Sequence, residues 1–229
     1  MASSIINASQ PKVDVNRYLS NSVHDLLSLK GRTVVITGGA RGLGLAFALA
    51  VAEVRGNIAI LDAAQEPHDH FYRIEKEHEI KIKYYRSDVT NYETLKETFS
   101  SIVKDFGRID GLPESVAKCM NINVLGTYYA AQLAAVQMAS QEPTDFNPRG
   151  GSIVMIASIA AYMATDMTLD LCNRYPHLGE IMNTEPPMRR MGDRTDLKVP
   201  VVYLLSNASA YHTSDDILIT GGIHAGRLM

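Results

Sequence analysis

The chain has 229 residues, of which 46% are hydrophobic, so it is long and apolar enough to form one globular domain with a sizeable core. Its formal net charge is −3 and no basic run reaches four residues, which argues against nucleic acid or an anionic membrane surface as a partner. The two cysteines, Cys119 and Cys172, form no CxxC pattern, which fits a reducing compartment and predicts neither a disulfide framework nor a zinc site.

Residues 1–29 are mixed and polar, and they predict a flexible arm with one short helical turn near Val23–Leu29. No basic region followed by an apolar stretch marks a secretory signal, and the apolar runs are too short to span a membrane. We therefore expect a cytoplasmic protein with a single domain over residues 30–229.

A regular alternation of strands and helices begins at Gly31. The β-branched run TVVIT (33–37) predicts a buried strand, and residues 41–56 predict a helix that closes on Gly56. The pattern continues with a strand at 57–62, a polar helix at 68–79, a strand at 81–88 and an amphipathic helix at 91–107. This spacing indicates βαβ units and an α/β fold, with a doubly wound parallel sheet between two layers of helices.

The second half of the chain is less regular. A fourth strand should begin at Ile109, but Pro113 is expected to end it after Leu112 and to start a long helix that runs to about Ser140. Further predictions are a buried strand at 151–158, an irregular stretch at 164–194, a helix at 196–209 and a last strand at 216–222.

The segment TGGARGLG (37–44) lies between the first strand and the first helix. A nucleotide pyrophosphate binds backbone N–H groups at a helix N-terminus, and glycine is needed where side chains would hold it away. Asp62, at the end of the second strand, is placed to accept hydrogen bonds from the ribose hydroxyls. The context therefore predicts a dinucleotide site; a tight turn without a ligand is the simpler alternative.

The glycine spacing resembles the T-G-x-x-x-G-x-G signature of the short-chain dehydrogenase/reductase family. SDVTN (87–91), NINVLGTYYAAQ (121–132), GSIVMIAS (151–158) and DILITGG (216–222) resemble further elements of that family, closest in character to fungal sorbose- and mannitol-type reductases. The resemblance covers roughly residues 30 to 226. It implies a Rossmann-like fold, a nicotinamide dinucleotide cofactor, a small carbonyl or polyol substrate and a homo-oligomer.

The resemblance also implies roles for individual residues. Ser158 and Asn123 match the family's catalytic serine and asparagine, and Thr165 matches the threonine that contacts the nicotinamide amide. The cofactor-binding positions that it implies are Gly38, Arg41, Gly42, Leu43, Gly44, Asp62, Asp88, Val89 and Thr165.

Two family elements have no counterpart in the sequence. An N-N-A-G or A-A-G element should follow Leu112, and a Y-x-x-x-K helix should follow the serine strand. Tyr162 is followed four residues later by Asp166, and no tyrosine beyond Ser158 has a lysine at that spacing. A neighbouring lysine lowers the pKa of the tyrosine that exchanges a proton with the substrate. We therefore expect a sheet that is incomplete at its fourth and sixth strands, and doubtful catalysis.

The cofactor form and the function stay open at this point. Asp62 repels a 2′-phosphate and favours NAD, whereas Arg41 could pair with that phosphate in NADP. Of the two forms, the sequence favours NAD. The chain is an oxidoreductase with weakened or lost activity, an enzyme with a rebuilt site that uses Tyr162 and a distant lysine such as Lys198, a non-catalytic partner of full-length relatives, or a non-functional splice or gene-model product.

Other motifs predict no chemistry. His68, Asp69 and His70 are better explained as a solvated helix start than as metal ligands. Ser158 has no histidine nearby in the sequence and is no hydrolase nucleophile; a strand-end serine without a partner is as good an interpretation as a residual catalytic role.

Overall fold

The computed structural model describes residues 22–115, 121–145, 147, 150–156 and 162–225. Its strands are β1 (Thr33–Thr37), β2 (Asn57–Asp62), β3 (Ile82–Arg86), β4 (Gly111–Ser115) and β5 (Ser152–Ile156). Its α-helices are α1 (Val23–Leu27), α2 (Gly42–Glu53), α3 (His70–Glu77), α4 (Tyr92–Phe106), α5 (Thr127–Ser140), α6 (Asp166–Arg174), α7 (Pro176–Thr184) and α8 (Lys198–Leu205). A π-helical segment covers Asn121–Gly126, and short 3₁₀ turns cover Arg194–Leu197, Asn207–Ser209 and Ile223–Ala225.

The five strands form one parallel sheet in the order β3-β2-β1-β4-β5. β1 is central and all five of its residues are buried, as its β-branched sequence predicts. The elements predicted for residues 33–107 are confirmed, with boundaries that match or shift by up to three residues. The predicted α/β class is therefore confirmed.

Two apolar layers cover the two faces of the sheet. On one face, Val34, Ile36 and Ile58 pack with residues of α2, α3 and α8, including Phe47. On the other face, the core contains Val35, Ala59 and Leu61 with residues of α4 and α5. Because side chains alternate along a strand, consecutive residues of β1 serve opposite layers and fix the three-layer architecture.

The prediction that Pro113 ends the fourth strand is wrong. β4 includes Pro113 and keeps register with β5 at all five positions, from Gly111–Ser152 to Ser115–Ile156. Its pairing with β1 is recorded only at Val34–Gly111 and Thr37–Glu114. Proline lacks an N–H donor, so it interrupts one ladder without removing the strand. The predicted helix from Pro113 to Ser140 is replaced by this strand, the π-helical segment and α5.

Two further predictions for the second half are wrong. Residues 164–194, expected to be irregular, contain α6 and α7; Pro176 occupies the first turn of α7, where a missing N–H costs nothing. Residues 216–222, expected to be a strand, are not paired in the sheet. A parallel strand needs a neighbour, and the described part of the chain contains no sixth strand beyond β5.

Buried polar groups tie distant parts of the chain together at the amino end of the sheet. The Asp110 carboxylate accepts hydrogen bonds from the Thr33 N–H (2.8 Å), from Asn147 Nδ2 (2.7 Å) and from the Arg108 guanidinium. Arg32, 1% exposed, donates to the carbonyl oxygen of Leu205 at 2.6 Å. These hydrogen bonds connect the start of β1 to residues that lie 77 to 173 positions later in the chain.

The segment before β1 contains the predicted helical turn, α1. Leu29 is fully buried and its N–H donates to the carbonyl oxygen of Val54, so this end of the segment packs on the domain. The rest of the predicted arm, residues 1–21, lies outside the described residues.

Candidate nucleotide-binding site

The candidate site lies at the carboxyl edge of the sheet. Parallel strands bring their carboxyl ends to one edge, so the turns after β1, β2 and β3 are neighbours there. These turns carry Gly38 to Gly44, Asp62 and Asp88, the residues predicted to contact the cofactor.

The glycine turn has the backbone that close approach of a ligand requires. Gly42 has φ +61°, which L side chains rarely adopt, and it starts α2. A Cβ on Gly44 would overlap the carbonyl oxygen of Gly38, so only glycine lets the helix pack this tightly on the turn. No side chain caps the N-terminus of α2, and its first turn holds no acidic residue. The first N–H groups of α2 are thus open to an anion.

Asp62 connects the glycine turn to the loop after β2. One carboxylate oxygen accepts the Ala40 N–H and the other accepts the Ala64 N–H, both at 3.0 Å. The Tyr84 hydroxyl donates to the carbonyl oxygen of Ala64 at 2.6 Å. Burial and the nearby Asp62 charge raise the pKa of Tyr84 to about 12. The loop is therefore fixed before any ligand binds.

A buried hydroxyl, that of Thr37, lies at the carboxyl end of the central strand β1. Thr37 Oγ1 has no hydrogen-bond partner among the described residues, although the residue is only 3% exposed. An orphaned hydroxyl costs stability unless a ligand or solvent satisfies it. With the uncapped helix and the Gly44 contact, it shows that the residues present fit a dinucleotide.

Asp88 and Val89 lie in the turn after β3 and form the adjacent side of the candidate site. The Asp88 carboxylate accepts hydrogen bonds from the Thr90 hydroxyl and N–H, and these bonds lower the pKa of Asp88. A Cβ on Gly126 would lie 2.7 Å from Val89 Cγ2, so glycine allows the π-helical segment to approach this turn. The backbone of Asn123 lies in that segment. The N-x-x-G spacing thus brings Asn123 toward the carboxyl edge.

The predicted catalytic residues are not brought together. Ser158 lies outside the described residues. Tyr162 is partly buried, and its carbonyl oxygen accepts the Gly192 N–H at 2.8 Å. Thr165 caps α6 by accepting the Thr168 N–H, and no described contact joins it to the glycine turn.

The Y-x-x-x-K spacing does occur twice before Ser158, as Tyr72–Lys76 on α3 and Tyr92–Lys96 on α4. α3 connects β2 to β3, at the opposite edge of the sheet from β5. The Tyr92 ring packs edge-on against Tyr129, with centroids 5.2 Å apart. Neither pair follows Ser158 in the chain, as the family's Y-x-x-x-K helix follows its serine.

The structure also argues against Lys198 as a distant partner for Tyr162. Lys198 Nζ lies 2.6 Å from Glu53 Oε1, in the last turn of α2. That turn is about 16 Å along the helix from the glycine turn, at about 1.5 Å per residue. The ammonium is committed to an ion pair far from the predicted cofactor site.

A search of the described residues finds no group of three or more His, Cys, Asp or Glu side chains that could hold a metal ion. In the same part of the chain, no helix combines the length and apolar character that crossing a membrane requires.

Comparison with known proteins agrees with this geometry. The family model described as short chain dehydrogenase matches residues 32–169, more than half of the sequence. The chain therefore belongs to the short-chain dehydrogenase family.

Individual relatives are similar over most of the chain. The NADP-dependent mannitol dehydrogenase of Aureobasidium melanogenum is 29% identical over 250 residues, covering 86% of this chain and 94% of that protein. The corresponding enzyme of Hypocrea jecorina is 26% identical and covers 93% and 98%. The crystal structure of NADPH-dependent 3-quinuclidinone reductase from Rhodotorula rubra superposes with a TM-score of 0.73 at 26% identity, over 95% of this chain and 98% of that one.

Proposed function

We propose that this chain binds a nicotinamide dinucleotide at the carboxyl edge of its sheet, and that it descends from oxidoreductases of sugar alcohols or ketones but has lost most of their catalysis. The observation that carries the binding proposal is the uncapped N-terminus of α2 behind the glycine turn, beside Asp62. We infer from family membership that this nucleotide is a nicotinamide dinucleotide.

Different residues of the chain would bind different parts of the nucleotide. The first N–H groups of α2 would hold the pyrophosphate, and Gly44 keeps the helix close enough for them to reach it. Each Asp62 oxygen keeps a lone pair beyond its backbone bond and would accept from the ribose hydroxyls. When bound, the nicotinamide supplies the hydride that reduces a carbonyl or accepts one from an alcohol.

Loss of catalysis follows from what is absent after β5. No tyrosine beyond Ser158 has a lysine four residues later, so no paired ammonium is available there to poise a proton donor. The alignment with the Aureobasidium protein is 250 residues long, which is longer than this chain of 229. The relative therefore fills positions that this chain does not have, in agreement with shortening inside the domain.

We propose NADP as the better-bound form. The names of both mannitol dehydrogenases specify NADP, and the exposed Arg41 side chain precedes α2, where it would pair with a 2′-phosphate. Asp62 opposes this choice, but its two backbone donors offset part of its charge. Arg41→Ala should weaken NADPH binding about tenfold, as expected for a lost charge-assisted bond of about 1.5 kcal/mol, and should leave NADH binding unchanged. Tighter binding of NADH by the unmodified chain would reverse the assignment.

The binding proposal is tested by calorimetric titration and thermal unfolding with NADPH and NADH. Ligand that binds only the folded chain raises the unfolding temperature. Gly44→Val, which forces α2 off the turn, should abolish this rise; Gly107→Ala, a C-cap glycine distant from the site, is the matched control. No rise with either nucleotide, in a chain that unfolds cooperatively, would contradict the proposal.

Loss of catalysis has its own test. Mannitol and 3-quinuclidinone, the compounds in the names of the relatives, are each incubated with the chain and with either cofactor. The cofactor is present at a concentration that saturates its site. We expect turnover far below the range of about 1–10³ per second that enzymes show. Turnover within that range would overturn the claimed loss and leave nucleotide binding intact.

A further inference from the structure

The loop that follows β2 holds one residue of the glycine turn from both sides. The N–H of the buried Ala40 donates to the Asp62 carboxylate at 3.0 Å, and the Ala40 carbonyl oxygen accepts the His68 N–H at 2.9 Å. Both ends of the loop from Asp62 to His68 therefore meet at Ala40. Because Arg41 is the next residue in the chain, His68 lies beside the peptide bond that connects Ala40 to Arg41.

The start of α3 fixes the orientation of the His68 imidazole. Its Nδ1 accepts the His70 N–H at 3.2 Å, and the two rings contact each other edge-on with centroids 4.5 Å apart. The His68 carbonyl oxygen accepts the N–H of Phe71, which is buried in the core. A neutral imidazole that accepts a hydrogen bond at one nitrogen carries its proton on the other. The Nε2–H of His68 is therefore a donor, and it makes no hydrogen bond to a described residue.

We propose that His68 is a specificity-determining residue that donates, together with Arg41, to the 2′-phosphate of NADP or NADPH. This inference rests on the proposed nucleotide binding and adds a second donor for the phosphate. Asp62, which would accept from the ribose hydroxyls, is bonded to the same Ala40 that His68 contacts. A phosphate on that ribose would therefore lie beside two donors, the Arg41 guanidinium and the His68 imidazole. Hydrogen bonds to an ionised phosphate are stronger than those between neutral groups.

Exposure and nearby charges set the size of the expected contribution. Glu66 and Asp69 are the acidic neighbours of His68 in the chain, and all three residues are exposed. Solvent and salt screen exposed charges, so these carboxylates weaken the contact with a phosphate without preventing it. The same screening limits what His68 itself contributes. We therefore expect a smaller effect from His68 than the effect of about tenfold expected from Arg41.

Calorimetric titration of the full chain with NADPH and NADH tests the proposal, because these two ligands differ only in the 2′-phosphate. His68→Ala should weaken NADPH binding about fivefold, as expected for the loss of one exposed charge-assisted bond. It should leave NADH binding unchanged, because the backbone N–H that bonds to Ala40 is kept. His78→Ala, at the other end of α3, is the matched control and should change the affinity for neither nucleotide.

A second variant separates a contact with the phosphate from support of the loop. His68→Lys replaces the imidazole with a positively charged donor that cannot accept the His70 N–H. It should therefore bind NADPH at least as tightly as the unmodified chain, whereas a residue that only supports the loop would not be replaced by lysine.

The possible outcomes distinguish this proposal from the proposed nucleotide binding. If His68→Ala weakened NADPH and NADH equally, or weakened neither, His68 would not bind the 2′-phosphate, while nucleotide binding would stand. Weak NADPH binding by both His68→Ala and His68→Lys would likewise overturn the proposal. If the unmodified chain bound neither nucleotide, the proposed function and this inference would both be wrong.

Discussion

The part of the molecule from β1 to α4 and the part that contains α6 and α7, residues 166–184, differ in how they are held. In the first part every residue of β1 is buried, and α4 buries Leu95, Thr98, Phe99 and Ile102. In the second part α6 buries only Thr168 and α7 buries no residue. Burial of apolar surface is the main stabilising contribution in folding, so the two parts should differ in local stability.

This difference separates the two tasks of a dehydrogenase. The nucleotide side is built from a buried sheet that keeps its geometry without a ligand. The α6–α7 hairpin is held by surface contacts such as the Arg194–Asp166 ion pair. The proposed loss of catalysis is therefore compatible with nucleotide binding.

A core substitution in each part gives the largest contrast. Phe47→Ala, on α2 and fully buried, should lower the free energy of unfolding by about 3–5 kcal/mol. Ile181→Ala, on α7 and 42% exposed, should change it by less than about 0.5 kcal/mol. Urea denaturation measures both. Equal losses would mean that the hairpin belongs to the same cooperative core.

The second contrast concerns buried and exposed carboxylates. Asp110→Ala removes the acceptor for Thr33, Asn147 and Arg108, and breaking a buried ion pair of this kind costs about 3–5 kcal/mol. Asp170→Ala removes an exposed partner of Arg174 and should cost less than about 1 kcal/mol. A small loss for Asp110→Ala in urea denaturation would show that β1 is not anchored through this carboxylate.

The helix caps provide a finer contrast. Asn91 caps α4 by accepting the Thr94 N–H, and Thr165 caps α6 in the same way. Removal of a cap costs about 1 kcal/mol. Asn91→Ala should lower global stability by that amount. Thr165→Ala should instead speed amide exchange within α6 with little change in global unfolding, if the hairpin opens on its own. If Thr165→Ala instead lowered the free energy of global unfolding, the two parts would unfold as one cooperative unit.

The smallest effect lies in alkaline titration of the nucleotide side. The pKa of Tyr84 is about 12 in the folded chain against an ordinary value of 10. The folded state therefore holds this proton more tightly, so its stabilising contribution is present below pH 10 and is lost as pH rises toward 12. Phenolate absorbance should show a late step that Tyr84→Phe removes. A step at the ordinary pKa would mean that the Asp62 loop is open.

The sequence predicts the first part well because local signals and tertiary packing agree there. TVVIT, Asn91 and Gly107 each indicate the element or boundary that the structure shows, Gly107 as a C-cap with φ +82°. The chain after α4 is predicted less well because packing overrides local signals. Pro113 would normally end a strand, yet pairing with β5 outweighs the single missing donor. Residues 216–222 have a strand-like sequence but pair with no strand in the described part of the chain.

The candidate site follows the same division. The glycine turn and Asp62 could be predicted because their roles depend on residue type. Only glycine fits the backbone at Gly42 and Gly44, and only a carboxylate can accept these hydrogen bonds at the end of β2. The hydrogen bonds that occupy both Asp62 oxygens, and the orphaned Thr37 hydroxyl, depend on the packing of neighbouring turns and carry no sequence signature.

Arg32 bears on how the family tolerates changes of length. Its guanidinium donates to the carbonyl oxygen of Leu205 at the end of α8 and to the side chain of Asn207, so α8 is fastened to the residue before the central strand β1. Residues can be gained or lost between β5 and α8 while both ends of the loop that they form stay in place. Such a closure would let the domain keep its fold when the length between β5 and α8 changes.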